Sequence, residues 1–413
     1  MLHRILTFVL CTLFTIQFLF AQNFNSIDSI IEKQIQQQKV SGAVAMVIYK
    51  NKIVLDKAYG YADKANRIPM TTESIFRIAS QTKAIVSVAF LQLVESGKIG
   101  LNDPIEKYIP SFQKQQVAFV ERDSIKLVAR NRSITIRDLL SHQSGISSSD
   151  EYPKLKKLYA QYQLDKPLNV AFNSLQEEVE QIAKMPLAHQ PGERFSYGLS
   201  TNVLGRLIEI ISGKSLDVYL KENIFKPLQM MDSYFYLPKD KQNRLVKVYR
   251  NIKSDSISEI TPDIYPINYP NAGNRNYFSA IGGLVSTTHD YAKFLTCLLN
   301  EGVYAKNKKL ISKQTLDQFT SNQLGDKTFI FGGMKSLNNF GLGVGLTTKQ
   351  GTILNNASEG SFFWGGAFNT AYMVDKKRQL ITLFYFQRVP FDLPPVLSGL
   401  EKQTIAEIDK IKM

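Results

Sequence analysis

Residues 76–110, FRIASQTKAIVSVAFLQLVESGKIGLNDPIEKYIP, decide how the rest of the chain reads. Ala84, Ile85, Val88, Ala89 and Leu91 recur at helical spacing. A helix therefore begins near Ser80 and runs to about Glu95, ending before Gly97 as a C-cap would. Ser80 and Lys83 stand at its start. On a helix, residues i and i+3 share a face, so the Lys83 amine can reach the Ser80 hydroxyl. The helix N-terminus also favours negative charge developing beside it. A plainer explanation is an N-cap serine with a solvated lysine next to it, and the helix pattern alone does not separate the two. Ser-x-x-Lys recurs at Ser111 and Lys114. There the serine follows Pro110 in a loop-like stretch, which fixes no distance between the side chains.

Working outward, Ile27, Ile30, Ile31 and Ile35 give an amphipathic helix. Residues 43–49 (AVAMVIY) and 53–61 (IVLDKAYGY) are strand-like runs joined into a hairpin by the Lys50-Asn51-Lys52 turn. Beyond the central helix the pattern is helical to about residue 270, with loops at Pro104, Pro110, Pro186, Pro191 and Pro227. Strand-like segments return at 341–347, 370–375 and 380–387, and Ile405, Ile408 and Ile411 mark a C-terminal helix. Strands at both ends with a helical insert between them imply an α+β arrangement. The expected sheet lobe covers about residues 22–75 and 275–413, and the helical lobe about 76–274.

Residues 1–21 combine a basic start (His3, Arg4), an apolar run and a small residue, Ala21. This predicts a secretory signal peptide and an exported protein, periplasmic or extracellular; a retained anchor is the alternative. No later segment is apolar for long enough to span a membrane. Past residue 21 only Cys297 remains, so an intrachain disulfide and a cysteine-based metal site are excluded. Cys297 lies in an apolar helix-like run and is expected to be a buried structural thiol. The chain carries 50 Lys and Arg against 36 Asp and Glu, a net charge of +14. Because these cations are spread along the chain, no nucleic-acid partner is expected; attraction to anionic envelope surfaces is the other explanation of the charge.

A serine nucleophile needs a base for its proton and donors for an oxyanion. The chain has no Gly-x-Ser-x-Gly elbow. Its histidines past residue 21 are His142, His189 and His289, none in a recognisable triad setting. A His-Glu-x-x-His zinc motif, a phosphate loop and a dinucleotide fingerprint are all missing, so no metal or cofactor is expected. A lysine-assisted serine remains. His289 and Asp290 form a possible dyad, but Ser286-Thr287-Thr288 reads better as a helix N-cap. His142 reads as a structural loop residue.

Four blocks set Ser80 in context. Residues 76–110 resemble the nucleophile region of the serine β-lactamase and penicillin-binding-protein superfamily. ITIRDLLSHQSGI (134–146) resembles the loop that follows in its class C branch. PGERFSYGLSTNVLGRLIEIISG (191–213) resembles the segment with the catalytic tyrosine, and IGGLVSTTHDYAKFL (281–295) a later helix. The likeness covers nearly all of the chain past residue 21, in order, and implies a β-lactamase/transpeptidase-like fold. It further implies that Ser80 is the nucleophile, with Lys83 and Tyr197 as its catalytic partners. An unperturbed tyrosine titrates near ~10, so a Tyr197 base needs positive charge, which Lys83 would supply. Trp364-Gly365-Gly366 falls where the family carries Lys-Thr-Gly or His-x-Gly, and the amides of Ser80 and Ala367 would form the oxyanion hole.

Two departures bear on the substrate. Leu199 replaces the asparagine of the usual Tyr-x-Asn, and Trp364 replaces a cationic or hydroxyl side chain. Penicillins, cephalosporins and D-alanyl peptides all present a carboxylate, which such a site grips poorly. A site lined by Trp364, Gly365, Gly366 and Leu199 should favour neutral, apolar acyl groups. Tyr-x-Leu, Trp-Gly-Gly and the 113–133 insert resemble the β-lactamase-like carboxylesterases of family VIII. The implied activity is hydrolysis of a small-molecule ester or amide through a Ser80 acyl-enzyme, most simply carboxylesterase action. The alternatives are a class C-type β-lactamase or D-amino-acid peptidase, and a penicillin-binding module that acylates without turnover. A non-catalytic envelope binding protein is disfavoured by the presence of Ser80, Lys83 and Tyr197 together.

Overall fold

The computed structural model describes residues 24–121, 124–165, 172–253, 256–261, 266 and 268–411, so the leader predicted at 1–21 lies outside the described residues. Helix α1 (Asn25–Gln36) leads into the hairpin β1 (Gly42–Tyr49) and β2 (Lys52–Asp63), followed by the short β3 (Ile68–Pro69). The central helix α2 (Thr82–Glu95) opens the helical region, which includes α3 (Ile136–Leu140), α4 (Leu175–Lys184) and α5 (Ser200–Ser212). Helix α6 (Thr288–Leu299) precedes β4 (Asn339–Phe340), β5 (Gly345–Leu346), β6 (Phe362–Gly366), β7 (Thr370–Asp375) and β8 (Leu380–Tyr385), and α7 (Pro394–Ile411) closes the chain.

These eight strands form one antiparallel sheet in the order β4-β5-β6-β7-β8-β1-β2-β3. β1 is buried along its whole length, and strand alternation divides it between two cores. Val44, Met46 and Ile48 face the helical lobe together with Leu383 and Tyr385. Ala43, Ala45 and Val47 face the other way, onto Ile27 and Ile31 of α1 and Leu400, Ile405 and Ile408 of α7. The isoleucines that announced the terminal helices are thus the stripe that covers one face of the sheet. α2 is apolar nearly all round because it is buried on all sides, with Ala84 to Leu91 enclosed.

Three details differ from the sequence expectations. The helical region carries two hairpins, Val117–Glu121 with Ser124–Val128 and Tyr249–Lys253 with Ser256–Glu259. Segment 341–347 is not one strand: 341–344 form a tight turn from β4 into the two-residue β5. Ser111 and Lys114 lie in an exposed helical turn, Pro110–Lys114.

The two-sided burial of the sheet sets a stability contrast. Phe384→Ala, at a site 1% exposed, should cost about 3–5 kcal/mol. Ile53→Ala, at 53% exposure, should stay within about 0.5 kcal/mol. Chemical denaturation of the two variants reads both values.

Candidate active site

Ser80 occupies a single tight helical turn, Ala79–Gln81, that runs directly into α2. The residues flanking the turn are helical and no side chain caps it, so Ser80 is not an N-cap serine. Ala79 holds a left-handed φ of 43°, a conformation that costs an alanine energy and persists only when its surroundings enforce it. Gln81 is the anchor. Its carbonyl accepts from Tyr291 Oη at 2.9 Å, and its side-chain oxygen accepts from Tyr385 Oη at 2.6 Å. The turn is thereby fixed to α6 and to β8 at once.

Lys83 lies one turn on, 3% exposed, its Nζ donating to Ser80 Oγ at 3.2 Å and to the Ile281 carbonyl at 2.7 Å. Burial disfavours the ammonium and pushes its pKa down to about 7. Among the described residues no carboxylate pairs with it to oppose that shift.

The segment before α5 brings Tyr197 to the same place. Gly198 allows this, because a Cβ there would collide with the backbone of Ser147. Ser80 hydrogen-bonds the Tyr197 hydroxyl, and Trp364 Nε1 donates to it at 3.4 Å. Burial still raises the Tyr197 pKa to about 12. The Lys83 amine, expected beside the phenol oxygen, lies instead over the ring face, 4.6 Å from its centroid. At neutral pH the group able to accept the Ser80 proton is therefore an uncharged Lys83, while Tyr197 keeps its proton and can donate.

β6 supplies the opposite wall. β5 pairs only with Phe362 and Phe363, so Trp364, Gly365 and Gly366 run past its end as a free edge. Gly366 packs directly on the segment that leads into the Ser80 turn, where a Cβ would collide with the Ile78 carbonyl and Thr370 Oγ1. Asn369 N closes a turn onto the Gly366 carbonyl at 2.9 Å, and the exposed Ala367 heads that turn. The 7%-exposed Trp364 ring stands 5.6 Å from Tyr197, 5.5 Å from Phe331 and 5.2 Å from Phe340.

Phe331 was not among the residues singled out from the sequence; its ring meets Tyr197 edge-on at 5.1 Å. It comes from the hairpin Ile330–Phe331 and Met334–Lys335, whose tip residues Gly332 and Gly333 both have positive φ, as a two-residue turn requires. Gly332 N donates to Glu151 Oε1 at 3.1 Å, and burial raises the Glu151 pKa. Its carboxylate is close enough to raise that of Tyr197. The apolar run Phe329-Ile330-Phe331 followed by Gly332-Gly333 was the signal available for this element.

Leu199 is not brought to Ser80. Its side chain is buried in the helical lobe, lining an interior cavity with Ile146, Tyr159 and Leu187. His142 does reach the site as a packing group. Its ring lies 4.7 Å from Tyr197, and burial and the nearby Lys83 push its pKa down to about 3. His289 pairs with Asp56 at 2.8 Å, while Thr287 caps α6 by accepting from Asp290 N. Cys297 is buried, its thiol pushed up to about 12. Among the described residues there is no His, Cys, Asp and Glu cluster suited to a metal ion, and no helix long and apolar enough to cross a membrane.

The sequence profile of the Beta-lactamase family matches residues 27–398, spanning every element of this site. The chain belongs to the Beta-lactamase family. It is therefore a serine hydrolase by family, with the β-lactamase/transpeptidase-like fold. A Salmonella typhimurium protein, named provisionally as a D-alanyl-D-alanine carboxypeptidase, is 30% identical over 379 residues, covering 85% of this chain and 80% of its own. Among solved structures, the fold matches EstCE1, described as a hydrolase with promiscuous acyltransferase activity. That match has a TM-score of 0.77 at 19% identity, covering 93% of this chain and 98% of that one. Simvastatin synthase (LovD) from Aspergillus terreus matches with a TM-score of 0.76 at 24% identity, covering 93% and 97% of the two chains.

The contact between β6 and the Ser80 turn gives a direct test within this Beta-lactamase family member. Gly366→Ala should drive the strand edge off Ile78 and cut hydrolytic turnover by about 100-fold or more. Gly399→Ala, whose Cβ meets nothing within 4 Å, should leave turnover unchanged. Steady-state kinetics on the two variants makes the comparison.

Proposed function

We propose that this protein hydrolyses small, neutral carboxylic esters through an acyl-enzyme on Ser80. The observation that carries the proposal is a buried lysine amine 3.2 Å from the Ser80 hydroxyl, its pKa pushed down to about 7 by burial, beneath a wall of aromatic rings. In the first step Ser80 Oγ bonds to the ester carbonyl carbon as its proton passes to Lys83 Nζ. The carbonyl oxygen becomes an oxyanion, held by the amides of Ser80 and Ala367. Collapse breaks the bond to the alkoxide, which leaves as alcohol with the proton that Lys83 took from Ser80, while the Tyr197 hydroxyl donates a hydrogen bond to the departing oxygen. Water then attacks the acyl-enzyme by the same route in reverse, releasing the acid and restoring Ser80.

The preference for neutral esters rests on charge as well as shape. Phe331, Phe340 and Trp364 offer an apolar surface, and Glu151 acts on Tyr197 with negative charge. A substrate carboxylate would meet repulsion there, which disfavours a β-lactamase, a D-amino-acid peptidase and a penicillin-binding module alike. Leu199, buried in the helical lobe, has no part in this selection. Export through the 1–21 leader completes the proposal.

Purified protein without residues 1–21 should turn over a nitrophenyl butyrate much faster than a chromogenic cephalosporin, and Ser80→Ala should abolish both activities. Lys83 must be neutral to act, and its folded-state pKa is lowered to about 7. The kcat/KM should therefore fall as pH drops through an acid limb near 7. Ester turnover that survives in Ser80→Ala, or cephalosporin as the better substrate, overturns the proposal.

A further inference from the structure

An amine that must accept a proton has to aim its one lone pair, and rotation about the last bond of a lysine leaves that aim free. In this site the Ile281 carbonyl takes one amine hydrogen at 2.7 Å, so the position of Ile281 decides where the lone pair of Lys83 points. Ile281 is only half-buried and precedes two glycines, Gly282 and Gly283, a poor foundation unless something holds it.

What holds it is a buried polar chain. Ile281 N donates to Asn202 Oδ1 at 3.0 Å. Asn202 Nδ2 donates to both oxygens of Glu178, at 2.8 and 2.7 Å. Tyr277 Oη, four residues ahead of Ile281, donates to Glu178 Oε2 at 2.8 Å. Asn202 and Glu178 are both 0% exposed, on α5 and α4 respectively. One turn beyond Asn202 stands Gly205, where a Cβ would lie 2.7 Å from that of Ala280, so α5 can approach the Ile281 segment closely.

We infer that Glu178 and Asn202 are positioning residues that orient the Lys83 amine through Ile281. The inference rests on the Ser80–Lys83 assignment proposed above. A carboxylate only accepts, so it fixes the Asn202 amide with its nitrogen toward Glu178 and its oxygen toward Ile281 N. Polarity is thus set from Glu178 to the Lys83 amine with no second arrangement that satisfies every partner. A glutamine at 178 would present a donor to a donor, favour the flipped Asn202 amide and leave Ile281 N without its acceptor. Burying such a network is costly unless it is fully satisfied, and two apolar helices could be pinned together without one.

The test uses Glu178→Gln and the milder Tyr277→Phe in the full protein without residues 1–21, with thermal melts to show that each folds. Three readouts are followed: kcat and KM on nitrophenyl butyrate, the pH dependence of kcat/KM, and the rate at which a fluorophosphonate labels Ser80. Glu178→Gln should lower kcat and the labelling rate together by about 10- to 100-fold, with KM changed less than about twofold. Tyr277→Phe should show a smaller change in the same direction. The acid limb should move to lower pH, because a charged Lys83 loses its carbonyl acceptor while its other neighbours, Ser80, Tyr197 and His142, stay in place. Wild-type kcat, labelling rate and acid limb in whichever variant folds would reduce the network to a structural pin and overturn the inference. Slowed labelling in the variants of a protein that turns over no ester would uphold it and remove only the ester assignment. A wild-type Ser80 that resists the fluorophosphonate would remove the assignment of Ser80 and Lys83, and the inference with it.

Discussion

A lysine amine keeps its charge at neutral pH only where water or an anion solvates it. Lys83 has neither. It is enclosed by α2, the Ile281 segment and the ring of Tyr197, with one carbonyl and one hydroxyl as its hydrogen-bond partners. Taking such a group out of water shifts its equilibrium toward the neutral amine, and a neutral amine beside a serine is a base. The arrangement of the surrounding elements follows from that requirement. α2 must be buried all round to hide the lysine, and the sheet must press its free edge against the Ser80 turn. Tyr197 must cover the amine with a ring face without offering it a charge.

The same enclosure explains how one fold accommodates different substrates. The Ser80 turn is tied to the sheet and to α6 through Gln81, so Ser80 stays in place whatever lines the space around it. Selection then falls to the rim: Trp364 on the strand edge, Phe331 on its glycine-tipped hairpin, and Glu151 holding that hairpin. An apolar rim with an acidic neighbour suits an uncharged acyl group. A cation at the position of Trp364 would suit a carboxylate.

Much of this was legible in the sequence, for reasons that differ by residue. Ser80 and Lys83 are three apart on a helix, so their meeting follows from local geometry alone. The terminal helices showed in the spacing of isoleucines, and the β1–β2 hairpin in two strand-like runs parted by the Lys50-Asn51-Lys52 turn. Tyr197 could be placed only because its whole segment resembled a known one. Leu199 was read from position, yet a residue two past the tyrosine can face either the cleft or the core, and the close packing of Gly198 on Ser147 accompanies a Leu199 turned inward. Phe331 was missed because its strand is only two residues long, although Gly332-Gly333 marks the turn, and the hairpin at 117–128 because short strands without strong turn signals resemble loops. The Ile281 carbonyl was invisible for a deeper reason. Every residue has a carbonyl, and only the fold decides which one meets the lysine.

The likeness to EstCE1 and LovD at low identity shows the fold and leaves the chemistry to be argued from the site itself. That chemistry depends on the protonation state of one amine. The most direct measurement is the Nζ chemical shift of Lys83 in protein labelled with ¹⁵N-lysine, followed from pH 5 to 11 and assigned by its loss in Lys83→Met. A single titration with its midpoint near 7, well below the other lysines, is the predicted result. A Lys83 that keeps its proton to pH 10 or above would contradict the account, because Ser80 would then lack a base at neutral pH.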